Sequence, residues 1–399
     1  MTPSPGAAVT GLGLVSAAGH GLEATFSALF AGPPRPVSPR FASPHGAAYP
    51  VFALPLQSLA RCREAAPDAP SPTTAYLCAA AREALADAGL NPASLAGVRV
   101  GVCVGTTVGA ALNFFDHYAA LRRGEKPSPG PVAAYLAANP ALYLARRLGA
   151  AGPCQSVVNA CSSGSDAVGL AASWITQGLC DVALAGGADE LSPIPYHGFI
   201  RLMITDPGPC RPFDRGRKGL NLGEGAALLV LESEAFRAAR GARARGFVAG
   251  YGAAADAHHL TAPAPDGRGL RAAIGQALAR AGASPGELAF VSLHGTGTPD
   301  NDRVEGRVVA ALLPGAALSA TKGATGHSLG AAGAMEAAIT VRCLEAGRLP
   351  PSPGFAEPDP EIGAAPVGRE TEVRGRAALS LSLAFGGGNA ALVLTRGER

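Results

Sequence analysis

Apolar runs of strand length recur along the first 235 residues: "AAVTGLGLVS" at 7–16, "VRVGVCVGTT" at 98–107, "QSVVNAC" at 155–161, "DVALAGGAD" at 181–189 and "GAALLVLESEA" at 225–235. Ala/Leu-rich stretches of helical character lie between several of them. This alternation predicts an α/β fold with a buried sheet. After Glu234 the order begins again. "RGFVAGYGAAADA" at 245–257 resembles "AAVTGLGLVSAAG", "LAFVSLHGTGT" at 288–298 resembles "VRVGVCVGTT", and "GGGNAALVLTRG" at 386–397 echoes "GEGAALLVLESE". The repeated order predicts two structurally similar halves, 1–240 and 241–399, with a site at their junction fed by both.

The segment "VVNACSSGSDAVGLAASW" at 157–174 sets one cysteine between a strand-like run and a helical pattern. Ala167, Leu170, Ala171, Trp174 and Ile175 fall at i, i+3, i+4, i+7 and i+8, so this helix buries one face. Its first turn therefore begins near Cys161. There, unpaired backbone N–H groups and the positive end of the helix dipole favour thiolate over thiol. Ser162, Ser163 and Gly164 are small, and are expected to leave room for a substrate beside the sulfur. Residues 107–150 read as an inserted, mostly helical region whose apolar side chains line either a pocket or a dimer surface.

Composition narrows the function classes. A chain of 399 residues, 48% hydrophobic, can bury a large core. A net charge of +3, spread along the chain, gives no reason to expect nucleic acid. The N-terminus has no basic segment before an apolar core, and no apolar stretch approaches the ~18 residues of a span. A cytoplasmic protein without a membrane span is expected. Its eight cysteines form no CxxC pair and no zinc-ligand spacing, which predicts reduced thiols and no metal site. Most such cysteines are small core hydrophobes; Cys161 is set apart by its surroundings.

Two further stretches carry candidate chemistry, "HGTGTPDND" at 294–302 and "TKGATGHSLGAAGAMEA" at 321–337. Each places a histidine, His294 or His327, in a Gly/Thr-rich turn beside a buried element, where the ring can face a cleft. Lys322 is one of three lysines in the chain. Glu336 lies on the apolar helix that follows His327. A carboxylate on that face is costly unless paired, so it is predicted to meet Lys322. The Gly-rich stretches "GLGLVS" and "FGGGN" lack the spacing of a dinucleotide fingerprint or a phosphate loop, and no cofactor is expected.

Together, "NACSSG", "HGTGTPDND", "TKGATGH…GAAGAMEA", "CRPFDRGRKGLNLGEGA" and "AFGGGN" resemble the successive signatures of β-ketoacyl-acyl-carrier-protein synthases of the decarboxylating Cys-His-His class. The resemblance runs from "VTGLGLVS" to the last strand. It implies a thiolase-like fold, a duplicated five-layer α/β/α/β/α arrangement, usually dimeric. It also implies that Cys161 takes an acyl chain from phosphopantetheine as a thioester, while His294 and His327 hydrogen-bond the malonyl thioester oxygen as CO2 departs. Lys322 would organise the site through Glu336. Phe385 matches the gating phenylalanine, its backbone N–H and that of Cys161 forming an oxyanion hole. Thr296 and Thr298 match threonines that hold the pantetheine arm, and Val108 matches a position that limits acyl-pocket depth. Ala384 stands where glycine is common, which is expected to stiffen the gating loop.

The implied partners are an acyl-carrier protein and a second ketosynthase or chain-length-factor subunit, as homodimer or heterodimer. Because the carrier is acidic in this family, Arg201, Arg211 and Arg215, with Arg217 and Lys218, are candidates for a basic docking rim. His258 and His259 resemble an entrance loop and are read as structural. A thiolase would need a second cysteine near the C-terminus, yet the last is Cys343. The Cys-His-Asn relatives lack the second histidine that "KGATGH" supplies. The alternative is a non-catalytic chain-length-factor-like subunit, but such subunits lose the nucleophile. Chain length and pathway, fatty acid or type II polyketide including polyene, stay open.

Overall fold

The computed structural model describes residues 6–41, 43, 49–107, 109, 115–137 and 139–397. Its main sheet is built from β1 (Ala7–Ser16), β2 (Val100–Gly105), β3 (Cys154–Val157), β4 (Val182–Asp189), β5 (Gly225–Glu232), β6 (Gly246–Ala255), β7 (Leu288–Ser292), β8 (Ala317–Ser319), β9 (Ala377–Ala384) and β10 (Gly388–Arg396). They lie side by side in the order β3-β2-β4-β5-β1-β6-β10-β9-β7-β8. Every strand from β1 to β5 occupies the place of the strand numbered five higher on the other side. The pairings repeat as well: β2 is parallel to β3 and β4, as β7 is to β8 and β9, and the remaining neighbours are antiparallel. The two sets join where β1 runs antiparallel to β6, with Val9 opposite Gly246.

Strands covered on both faces explain the near-continuous apolar runs. In β2, Val100, Val102 and Val104 face one outer cluster with Leu77, Ala80 and Ala84 of helix α1 (Pro72–Asp87), whereas Cys103 faces the centre. The centre is occupied by α2 (Ser163–Thr176), with α3 (Pro193–Arg201) lying over the site and not in this layer. On the other side, α4 (Arg268–Ala281) packs Leu270, Ala273 and Ile274 against Leu379, Leu381 and Val393. Helix α5 (Pro299–Leu312) joins that layer, and α6 (Ala332–Ala346) lies beside α2 in the centre. Helix, sheet, helix, sheet, helix is the five-layer arrangement.

The two central helices approach closely at their first turns. A Cβ on Gly164 would lie 2.7 Å from the Gly330 carbonyl oxygen, and one on Gly333 would lie 2.2 Å from Ser165 Oγ. Ser165 Oγ meets Ser382 Oγ of β9 at 2.9 Å. This corrects one expectation. Ser162, Ser163 and Gly164 are buried and serve helix packing and local hydrogen bonds, not substrate access. Strand β9, "AALSLSLA", was not expected as an apolar run, because Ser380 and Ser382 interrupt it toward this narrow central layer.

Candidate active site

Cys161 occupies a 3-10 turn (Ala160–Ser162) that runs directly into α2. Ala160 takes a left-handed φ of 46°, unusual for a residue with a Cβ. The turn is fixed on both sides. Ser163 Oγ accepts from the Asn159 N–H at 2.8 Å and donates to the Ala160 carbonyl at 2.7 Å. Asp166 collects Asn159 Nδ2 at 2.7 Å, Ser162 Oγ at 2.8 Å and, from β6, the Tyr251 hydroxyl at 2.8 Å. One carboxylate thus ties the nucleophile turn to the opposite set of strands.

His294 follows β7, and its turn is cradled by two carboxylates of α5. Glu305 accepts the N–H groups of His294 at 2.6 Å and Gly295 at 2.8 Å, and Asp302 accepts those of Thr296 at 3.1 Å and Phe213 at 2.7 Å. Gly295 and Gly297, with φ of 43° and 81°, let the chain fold around these acceptors. Burial pushes Glu305 up to about 8. Neither acid stood out in the sequence, although "PDND" just inside a helix, followed three residues later by Glu305, is the available signal.

Lys322 is 1% exposed and ion-paired to Glu336, as the sequence predicted. It also donates to the His294 carbonyl, and its Nζ lies 3.3 Å from His294 Nδ1. An ammonium has only donors, so Nδ1 must accept and the ring proton sits on Nε2. His327 packs edge-on to His294, ring centroids 5.2 Å apart at 82°, its own backbone bridged to Leu222. Both imidazoles are held well below the usual histidine range, first by burial and then by the Lys322 charge. They are therefore neutral donors at neutral pH. Burial pushes Glu336 up to about 7, with Lys322 pulling the other way.

These groups open onto one cavity of about 260 Å³. Cys161, His294, His327, Thr296, Thr298 and Phe385 all line it. Lys322 and Glu336 stand behind the histidines. Phe385 stacks on Phe199 of α3, centroids 5.4 Å apart, and the Thr296 and Thr298 hydroxyls meet at 2.8 Å. Phe199, Met203, Ile204, Leu220 and Leu383 also line the cavity; sequence reading did not mark them. Val108 lies outside the described residues. The thiol departs from expectation: burial pushes Cys161 up to about 11, outweighing the Lys322 charge and a hydrogen bond from the Phe385 N–H. Loss of water around the sulfur exceeds the benefit of a helix start.

Of the basic candidates, Arg201 and Lys218 are exposed. Arg215 is exposed and paired with Glu357 at 2.8 Å, and Arg211 donates to the Gly216 carbonyl. Arg217 is not a rim residue. Its side chain is 7% exposed and bound to Asp359 at 2.5 Å, so it ties the loop after residue 210 to the loop that carries Asp359, and it also donates to the Pro299 carbonyl at the start of α5 at 3.4 Å. His258 and His259 are exposed, and His259 Nδ1 accepts the Thr261 N–H at 3.1 Å within its own turn. Among the described residues, no group of three or more His, Cys, Asp or Glu side chains could hold a metal ion. No helix among them is long and apolar enough to cross a membrane.

Comparison with known proteins agrees with this geometry. Residues 57–237 match the β-ketoacyl synthase N-terminal domain and residues 245–356 the β-ketoacyl synthase C-terminal domain. The tetracenomycin polyketide synthase ketoacyl synthase alpha subunit of Streptomyces glaucescens is 38% identical over 81% of this chain and 80% of its own. A 3-oxoacyl-[acyl-carrier-protein] synthase 2 from Synechocystis is 35% identical, covering 80% of each chain. Among solved structures, the ishigamide ketosynthase/chain length factor superposes with a TM-score of 0.89 at 33% identity, covering 98% of this chain and 100% of that one. A duplicated sheet, a buried cysteine and two neutral histidines thus coincide with matches along both halves: the chain belongs to the β-ketoacyl synthase family.

Proposed function

We propose that this protein is a β-ketoacyl-acyl-carrier-protein synthase that extends a carrier-bound acyl chain by two carbons with loss of CO2. The observation that carries the reading is a thiol and two neutral imidazoles facing one cavity, with the Phe385 N–H aimed at the sulfur. In this reading residues 1–240 supply the nucleophile and residues 241–399 the two histidines.

Cys161 Sγ attacks the acyl thioester, and the pantetheine thiol leaves with the proton that Cys161 gives up. The exchange is proton-neutral, so a thiol near 11 needs only a relay through a neutral imidazole and no strong base. Malonyl thioester then enters. As its C–CO2 bond breaks, the electron pair moves onto the thioester oxygen, which the N–H groups of His294 and His327 meet; one such donor is worth ~100- to 1,000-fold in rate. The resulting carbanion attacks the acyl carbonyl, the Cys161 and Phe385 N–H groups hold the tetrahedral oxyanion, and Cys161 is expelled as thiolate and takes up one proton from solvent, which balances the charge lost with CO2. Thr296 and Thr298 hold the pantetheine arm. The carrier docks beside Arg201, Arg211 and Arg215, and a related subunit completes a dimer. The reaction uses no cofactor beyond the carrier's own phosphopantetheine, and its setting is the cytoplasm.

Mass spectrometry of carrier species after mixing the protein with acyl- and malonyl-carrier tests this. A β-ketoacyl product two carbons longer is expected. Malonyl-carrier returned unchanged by the wild-type protein across a panel of acyl donors would contradict it.

A further inference from the structure

We propose that Asp189 is a positioning residue that clamps together the two turns carrying Cys161 and His327, so that acyl transfer and decarboxylation both depend on one buried carboxylate. The rates involved rest on the condensing-enzyme reading, whereas the clamp itself rests on geometry. Asp189 ends β4 and is fully buried. Its Oδ1 accepts from Thr106 Oγ1 at 2.7 Å, and its Oδ2 accepts from the N–H groups of Thr107 at 2.8 Å and Gly330 at 2.7 Å. From there the two branches diverge.

On one branch, Thr107 Oγ1 donates to the Ala160 carbonyl at 3.1 Å, holding the left-handed residue that immediately precedes Cys161. On the other, Gly330 follows Leu329, which is also left-handed at φ 51° and lies two residues after His327. Backbones held this way persist only where their surroundings over-determine them. The surroundings here are unusually close. A Cβ on Gly330 would stand 2.7 Å from Thr106 Cα, and one on Gly187 would stand 2.5 Å from the Gly330 carbonyl oxygen. Three chain segments therefore meet backbone to backbone, and the carboxylate that accepts from two of them sets their spacing. Its charge is also one of the influences that keep the Cys161 thiol high, after burial.

Asp189→Asn keeps the shape but replaces an acceptor by an amide that clashes with converging donors. Acylation of Cys161 by acyl-carrier and CO2 release from malonyl-carrier should both fall ~10- to 100-fold, as for a small misplacement of reacting groups, with KM for the carrier unchanged. The pH midpoint for alkylation of Cys161 should move down, which a purely structural loss would not produce. Thr107→Val severs only the first branch and should slow acylation alone. The clamp is refuted if Asp189→Asn lowers the melting temperature yet keeps both rates within twofold, or slows only one. If Asp189→Asn yields no folded protein, Thr107→Val decides: unchanged acylation refutes the clamp. Absence of both half-reactions in the wild-type protein would instead remove the condensing-enzyme reading, and the alkylation midpoint would still report on Asp189.

Discussion

Replacing Lys322 by methionine removes the group that fixes the His294 tautomer while leaving its volume filled. The ammonium lies 3.3 Å from Nδ1, and at that distance two unit charges repel by about 5 kcal/mol at an effective dielectric near 20. Glu336, paired to the same ammonium, offsets part of this. A rise in the His294 pKa, which burial and then the Lys322 charge now hold down, is the expected remainder. The sign follows from the charge: without the cation the imidazolium is less opposed, so the acid limb of the decarboxylation profile moves to higher pH. Without the ammonium, Nδ1 is free to carry the proton, and loss of the Nε2 donor should slow CO2 release by ~100-fold or more. Folding should survive, because Glu336, already raised to about 7, can take up a proton once its partner is gone. The assay is CO2 release from malonyl-carrier between pH 5 and 9, with the melting temperature measured in parallel. A loss under threefold with an unmoved acid limb would refute the tautomer argument.

Alkylation of Cys161 by iodoacetamide should rise with pH toward a midpoint near 11; a midpoint below 8 would mean that the helix start, not burial, governs the sulfur. Gly333→Ala should destabilise the fold by about 1–3 kcal/mol in denaturant titration, since its Cβ would lie 2.2 Å from Ser165 Oγ; an unchanged midpoint would show that the central helices separate easily. Arg201→Glu should weaken carrier binding, read as a higher KM with kcat retained and less dependence on salt; an unchanged KM would remove Arg201 from the docking surface.

The fold was legible where both faces of a strand are apolar, as in β2, β4 and β5, and where sequence order repeats. It was not legible at β9, whose serines satisfy a constraint imposed by helices far away in the chain. The site divides in the same way. Cys161, His294, His327 and the Lys322–Glu336 pair carry their own signals, a helix start, two Gly-rich turns and a carboxylate on an apolar face. Asp189 does not, because its partners, the Thr106 hydroxyl and the N–H groups of Thr107 and Gly330, are brought near only by folding, and Asp302 and Glu305 are marked only by the acid-rich start of α5. Arg217 looked like surface charge for the same reason: Asp359, which buries it, lies 142 residues further on. Ser162, Ser163 and Gly164 were small for a helix contact that local sequence cannot display.

The most direct test is intact-mass measurement after incubation with an acyl-carrier protein or acyl-CoA, on the wild-type chain and on Cys161→Ala. A single acyl adduct on the wild type that is absent from the variant is the predicted result. No adduct on the wild type, or one that persists in Cys161→Ala, would contradict the account.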